Sequence, residues 1–463
     1  MISTHIAQLV LEMALSRGGD FAELFLEDRR DQSIVLKSNR IENVNSGRIF
    51  GAGIRIFVGH NAIYTYTNDM SMEGLLRCAK QTANAIQEAK KIGFSISPFI
   101  QTVAPIVHPI TLRPCQTETE KKIAILKEAN SSARACGSAI TQVLCSYLDS
   151  EQDVTIINSD GLFVSDTRVY SRMACQAVAS KGNENQIAHE APGAMRGFEL
   201  FTEHVNAKAI GETVGKSALL MIDAEPCPAG NMPVVIGNGF GGVLFHEACG
   251  HSLEATSVAP GASEFTGKLG EVIANERVTA YDDGTLPNEW GSENVDDEGT
   301  PTTNLTLIEN GVLKNYMIDR LNSKRMNMPI TGSARRQSYA YAPTSRMRNT
   351  YIANGTDSEK EMFATMGDGL YAAKLGGGSV NPATGEFNFS VMEGYLVKDG
   401  KIAQPVRGAS LIGKGAEVLM RIDRVSDNMK MAQGMCGSIS GSIPTNVGQP
   451  TIRVSTITVG GRV

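Results

Sequence analysis

Apolar residues recur at helical spacing from the start of the chain: Ile6, Leu9, Val10 and Met13 follow Ser3 and Thr4, whose hydroxyls suit a helix N-cap. The pattern then switches to period two. Leu24, Phe25 and Leu26, followed by Ile34, Val35 and Leu36, mark two short strands over residues 24–27 and 33–37. Ile54, Ile56 and Val58 alternate with smaller or polar residues up to a turn at Gly59-His60-Asn61, and residues 62–67 continue the alternation, so an antiparallel meander is expected. Helical periodicity predicts helices over residues 71–91, 117–135 and 207–221, the first with Leu75, Leu76, Ala79, Ala83 and Ile86 on or near one face. Residues 93–114 carry four prolines and no clean period, which reads as an extended connector. Within residues 142–167, Asn158-Ser159-Asp160-Gly161 suggests a turn between strands.

The carboxy-terminal half is richer in strand signals. An apolar run, Met232-Pro233-Val234-Val235-Ile236, leads into a glycine-rich turn, and Asn310-Gly311 and Asp399-Gly400 each sit between apolar runs as hairpin turns do. Residues 451–459 alternate as a closing strand. At 463 residues the chain exceeds the usual size of a single core. The expected fold class is therefore α+β in two domains. Residues 1–205 are expected to form an N-terminal meander domain and residues 206–463 a β-rich domain carrying an irregular helix.

Composition narrows the class further. A hydrophobic fraction of 42%, a charged fraction of 20% and a net charge of -6 describe an ordinary globular protein with no general attraction to nucleic acid or anionic membrane. The first helix contains Glu12 and lacks a basic flank, so it is not read as a signal peptide, and no stretch approaches the ~18 continuous apolar residues of a membrane span. Eight cysteines without CxxC pairs fit reduced thiols, and a cytoplasmic location is expected.

The candidate chemistry lies at His246-Glu247-x-x-x-His251, at the start of a helix entered through Gly241-Gly242. The spacing is one residue longer than the zincin pattern, in which histidines four apart share a helix face. At ~100° per residue, the two imidazoles would diverge by about 140° on a regular helix and could not share one ion. The helix is therefore expected to be irregular, with a π-bulge or a break near Gly250. Glu247, beside the first histidine, is the natural general base for a metal-activated water. Spacing leaves the third ligand open among Glu254, Glu271, Glu276, Cys249 and Cys436.

Several segments, taken with His246-Glu247-Ala248-Cys249-Gly250-His251, resemble the TldD/PmbA family of metalloproteases, once described as modulators of DNA gyrase. These are Asp297-Glu298-Gly299-Thr300-Pro301-Thr302, Asp319-Arg320-Leu321, Arg346-Met347-Arg348-Asn349-Thr350, Pro405-Val406-Arg407-Gly408-Ala409-Ser410-Leu411-Ile412-Gly413 and Gly448-Gln449-Pro450. The resemblance runs essentially end to end. It implies zinc held by His246, His251 and Cys436, with Glu247 activating water. It also implies cleavage of unfolded or poorly structured peptides inside a dimer, homodimeric or with a PmbA-like relative, the substrate held as an added strand. PmbA-like members lack the histidine motif, so an intact motif places the chain on the TldD-like, catalytic side; the alternative is a non-catalytic assembly subunit. The run from Gly437 to Pro444 departs from the charged, glycine-rich segment of many relatives.

Two charge runs stand outside the motif. Residues 282–298 carry seven acids and no base, and residues 320–348 carry seven bases and no acid. They read as complementary surfaces, or as a basic face for a peptide carboxylate or a partner subunit; with no nucleic-acid motif and an acidic total charge, nucleic-acid binding is not expected.

Overall fold

The computed structural model describes residues 2–86, 95–381 and 384–461. The last residues of the helix expected over 71–91, and the first two of the connector, lie outside the described residues.

Helix α1 (Thr4–Leu15) starts where the caps predict, with the Ile6 amide donating to Ser3 Oγ. The two short strands expected next are one 17-residue strand, β1 (Phe21–Lys37). Its polar middle stays in the ladder because β2 (Arg40–Val58) pairs on one side and β5 (Ile140–Asn158) on the other. Backbone pairing, which hydropathy does not record, carries the strand across that stretch. Strand β3 (Asn61–Thr67), helix α2 (Met72–Asn84), strand β4 (Ile100–Val103), helix α3 (Thr119–Ala135), strands β6 (Leu162–Lys181) and β7 (Glu184–Glu190) and helix α4 (Ala207–Ile222) complete this part. The sheet runs β3-β2-β1-β5-β6-β4, with β7 also on β6. The connector thus contributes a short strand, β4, parallel to β6. Leu11, Leu24, Ile54 and Leu75 join α1 and α2 to one region of the sheet, and Leu126, Val143, Met173 and Val214 join α3 and α4 to another.

The remaining chain builds two further large sheets. In the first, Gly230–Ile236 lies between Gly369–Asn381, to which it is parallel, and Ile452–Gly460, to which it is antiparallel. In the second, Asn349–Ile352 pairs with Gly441–Gln449, and Lys430–Ser438 forms the edge beyond it. Both expected hairpins form. Asn310 and Gly311 have φ of 48° and 80°, and Asp399 and Gly400 have 48° and 71°, the left-handed pair that a tight hairpin turn requires. One core containing Val234, Phe245, Leu307, Phe389 and Val454 spans these sheets. Among the described residues, no helix is long and apolar enough to cross a membrane.

The charge runs are spent largely inside the molecule. Arg55 Nη2 lies 2.7 Å from both Glu23 and Glu298, Arg168 Nη1 lies 2.7 Å from Asp297, Arg336 Nη2 lies 2.7 Å from Glu23, and Arg348 Nε lies 3.0 Å from Asp282. All these side chains are buried. Arg335, Arg336, Arg346 and Arg348 are therefore unavailable to a peptide or partner, contrary to one reading of the basic run. Arg55–Glu298, Arg168–Asp297 and Arg336–Glu23 instead tie the first sheet to the carboxy-terminal segments, and removing one member of such a buried pair costs about 3–5 kcal/mol.

Candidate metal centre

After Gly230–Ile236 the chain passes through a tight turn, Gly239–Gly242, into helix α5 (Val243–Ala248). The glycine matters for packing. A Cβ on Gly242 would lie 2.5 Å from the Gly448 amide nitrogen, so only glycine lets the helix entry rest on the strand Gly441–Gln449. Val243, Leu244 and Phe245 anchor α5 in the core, and His246 is buried on the next position.

The α-helix stops at Cys249, whose φ of -132° and ψ of -47° leave the helical region, and a 3₁₀ turn follows over Gly250–Leu253. The irregularity is thus a break one residue before Gly250, with no π-bulge. Gly250 serves a different need: a Cβ there would lie 2.2 Å from Met347 Sδ. The break swings His251 back toward His246, so the ring centroids are 5.0 Å apart and the planes cross at 81°.

Cys436 reaches the pair from the edge strand Lys430–Ser438, its Sγ 3.4 Å from His251 Nε2. One donor atom from each of His246, His251 and Cys436 lies within 4.8 Å of the others. Glu247 Oε2 is 3.7 Å from His251 Nε2, beside the cluster. Of the other residues considered as third ligand, Glu254 contacts the far side of His251, with its Oε2 3.2 Å from Nδ1. Cys249, Glu271 and Glu276 are not in the cluster. Cys249 is fully buried, and burial pushes its thiol well above the ordinary range.

The electrostatics favour a ligating thiolate. Burial alone would raise the Cys436 thiol, but the two imidazoles beside it outweigh burial and bring it down to about 4. Burial disfavours protonated His251, yet the Glu254 carboxylate and Cys436 hold its pKa well above the usual imidazole value. His246 Nδ1 is buried without a hydrogen-bond partner. Two imidazoles and a thiolate form a donor set suited to zinc.

Three family models cover most of the chain: PmbA/TldA metallopeptidase domain 1 over residues 22–89, the central domain over 113–222 and the C-terminal domain over 229–461. The metalloprotease TldD homolog of Haemophilus influenzae is 35% identical, the match covering 99% of this chain and 97% of that one. The chain belongs to the PmbA/TldD metallopeptidase family. A metalloprotease from Methanothermobacter thermautotrophicus is 31% identical over 96% of each chain. Among solved structures, TldE from Thermococcus kodakarensis shares the fold with a TM-score of 0.77 at 19% identity, covering 98% of this chain and 100% of that one. A candidate modulator of a DNA gyrase from Thermotoga maritima matches with a TM-score of 0.79 at 21% identity, covering 98% and 99%.

In this PmbA/TldD chain the surroundings of the cluster include a group that spacing did not reveal. Arg346 Nη2 donates to the Cys436 carbonyl at 2.6 Å, and Arg346 Nε lies 3.7 Å from Glu254 Oε1. One buried guanidinium thus steadies both the strand that carries Cys436 and the carboxylate behind His251. Glu254 accepting from Nδ1–H fixes the tautomer that leaves the Nε2 lone pair toward the cluster. The signal in the sequence was the Arg346-Met347-Arg348 segment, without a role attached. Replacing Glu254 with Gln is expected to weaken metal affinity by about 10–100-fold while both imidazoles and the thiolate remain, as measured by competition with a chromogenic chelator.

Proposed function

We propose that the chain is a zinc-dependent peptidase in which His246, His251 and Cys436 hold the metal and Glu247 is the general base. The observation that carries this reading is the convergence of those three donors on one buried point with the Glu247 carboxylate beside it. Zinc bound there would supply a Lewis acid that makes water reactive near neutral pH. The residues do the rest. Glu247 takes a proton from the attacking water and delivers it to the leaving amine nitrogen as the peptide bond breaks. His251, oriented by Glu254, and Cys436, steadied by Arg346, keep the donors in place.

The substrates on this reading are unfolded or poorly structured peptides. Strand addition remains compatible with low sequence specificity, since main-chain bonds supply most of the contacts. It would not use the Gly434 and Cys436 carbonyls, which already accept from Trp290 Nε1 and Arg346 Nη2. The chain works in a dimer with a second copy or a PmbA-like relative, a pairing supported by the fold it shares with TldE. Eight free cysteines support a reducing, cytoplasmic setting. The two-domain division at residue 206 is part of the same proposal, the first part serving substrate and dimer contacts. The test is cleavage of an unfolded protein by the zinc-loaded chain, alone and with its relative. Loss of products on chelation and recovery with zinc are expected, and chelator-insensitive cleavage would contradict the metal's role.

A further inference from the structure

A cavity of about 470 Å³ lies between the turn Gly239–Gly242, strands β6 and β7, and residues 430–434 of the edge strand. Arg172, Lys374, Lys430 and His189 line it, against a single carboxylate, Glu190. That carboxylate is already used: Lys374 Nζ lies 2.7 Å from Glu190 Oε1. Arg172 is fixed by carbonyls only, Nε donating to Ala191 and Nη2 to Gln433, with its guanidinium 5.4 Å from the Trp290 ring. Neither Arg172 nor Lys430 makes an ion pair among the described residues. Burial pushes Arg172 below the usual arginine range, with no carboxylate to offset it.

Phe240, Leu375 and Met392 give part of the remaining wall an apolar surface, beside the polar Asn238 and Gln433. Two of the segments that line the cavity lead along the chain to the metal cluster. Gly239–Gly242 leads directly into α5, and Gly434 is two residues from Cys436, roughly 7 Å along an extended strand.

We propose that this cavity is a subsite for a peptide carboxylate, held by Arg172 and Lys430, with an apolar side chain of the same peptide against Phe240, Leu375 and Met392. A guanidinium fixed by carbonyls and lacking an anion is preorganised for a carboxylate, and a neutral ligand would leave that charge uncompensated. The inference rests on the peptidase reading and specifies its substrate. The peptidase favours peptide bonds close to a free carboxyl terminus or to an acidic residue, so that the carboxylate reaches the cavity while the bond lies at Glu247.

The experiment measures fluorescence anisotropy of labelled peptides on zinc-loaded Glu247→Gln protein, which cannot consume them. One pair of peptides differs only in a free or amidated carboxyl terminus, and another only in Glu or Gln within an amidated sequence. One neutral partner is expected to bind roughly tenfold more weakly than its acid. The pair that shows the loss identifies the source of the carboxylate. Arg172→Met and, should that variant not fold, the surface change Lys430→Met are expected to shrink the difference. Equal affinities within both pairs overturn the subsite. Cleavage by the unmutated chain is followed in parallel: cleavage with equal affinities overturns this inference alone, whereas no cleavage under any condition overturns the peptidase reading.

Discussion

Glu247→Gln is expected to lower peptide cleavage by about a thousandfold, near 4 kcal/mol, while leaving zinc content unchanged. The reasoning is local. The substitution keeps the size and shape of the side chain but removes its capacity to take a proton. Glu247 is not one of the three converging donors, and its Oε2 lies 3.7 Å from His251 Nε2. Its side chain is partly exposed, so the change leaves no unsatisfied buried charge and stability should be nearly unaffected. Initial rates on an unfolded protein, with zinc measured on the same preparation, separate the outcomes. Cleavage at an undiminished rate would assign the proton transfer to another group.

The second large effect is expected at Cys436. A serine hydroxyl at this position is a poor zinc ligand compared with the Cys436 thiolate. Losing an orienting partner alone costs about 10–100-fold in affinity, so loss of the ligand should weaken zinc binding by on the order of a hundredfold or more. Cleavage should fall with it. The apo fold should persist, because Cys436 packs at a strand edge and Arg346 holds its carbonyl, which serine retains. Circular dichroism of the variant checks that point.

The helix geometry at the centre was legible because it follows from arithmetic. Histidines five apart cannot converge on a regular helix, so a distortion was required, and the chain breaks at Cys249. The break lies beside Gly250, as expected, but Gly250 is not the residue that leaves helical geometry. Its real constraint is Met347, almost a hundred residues away and invisible to local pattern. The arrival of Cys436 at His251 depends on the pairing of Lys430–Ser438 with Gly441–Gln449, so spacing left it open and only the family resemblance selected it.

In the first sheet, alternation located the β1 core residues Leu24 and Ile34 but could not show that Glu23 lies equally buried. Glu23 is stabilised by Arg55 and Arg336 from segments distant in sequence. The acidic and basic runs were visible as composition. Their assignment to a buried network required the fold.

The most direct measurement is zinc absorption spectroscopy, with metal quantification, on unmutated protein and on Cys436→Ser purified without chelator. The unmutated chain is predicted to hold one zinc with two imidazole nitrogens and one sulfur in its shell, and the variant to lose the sulfur contribution with most of the metal. A chain that carries no zinc, or one whose zinc shows no sulfur neighbour, would contradict the assignment of His246, His251 and Cys436.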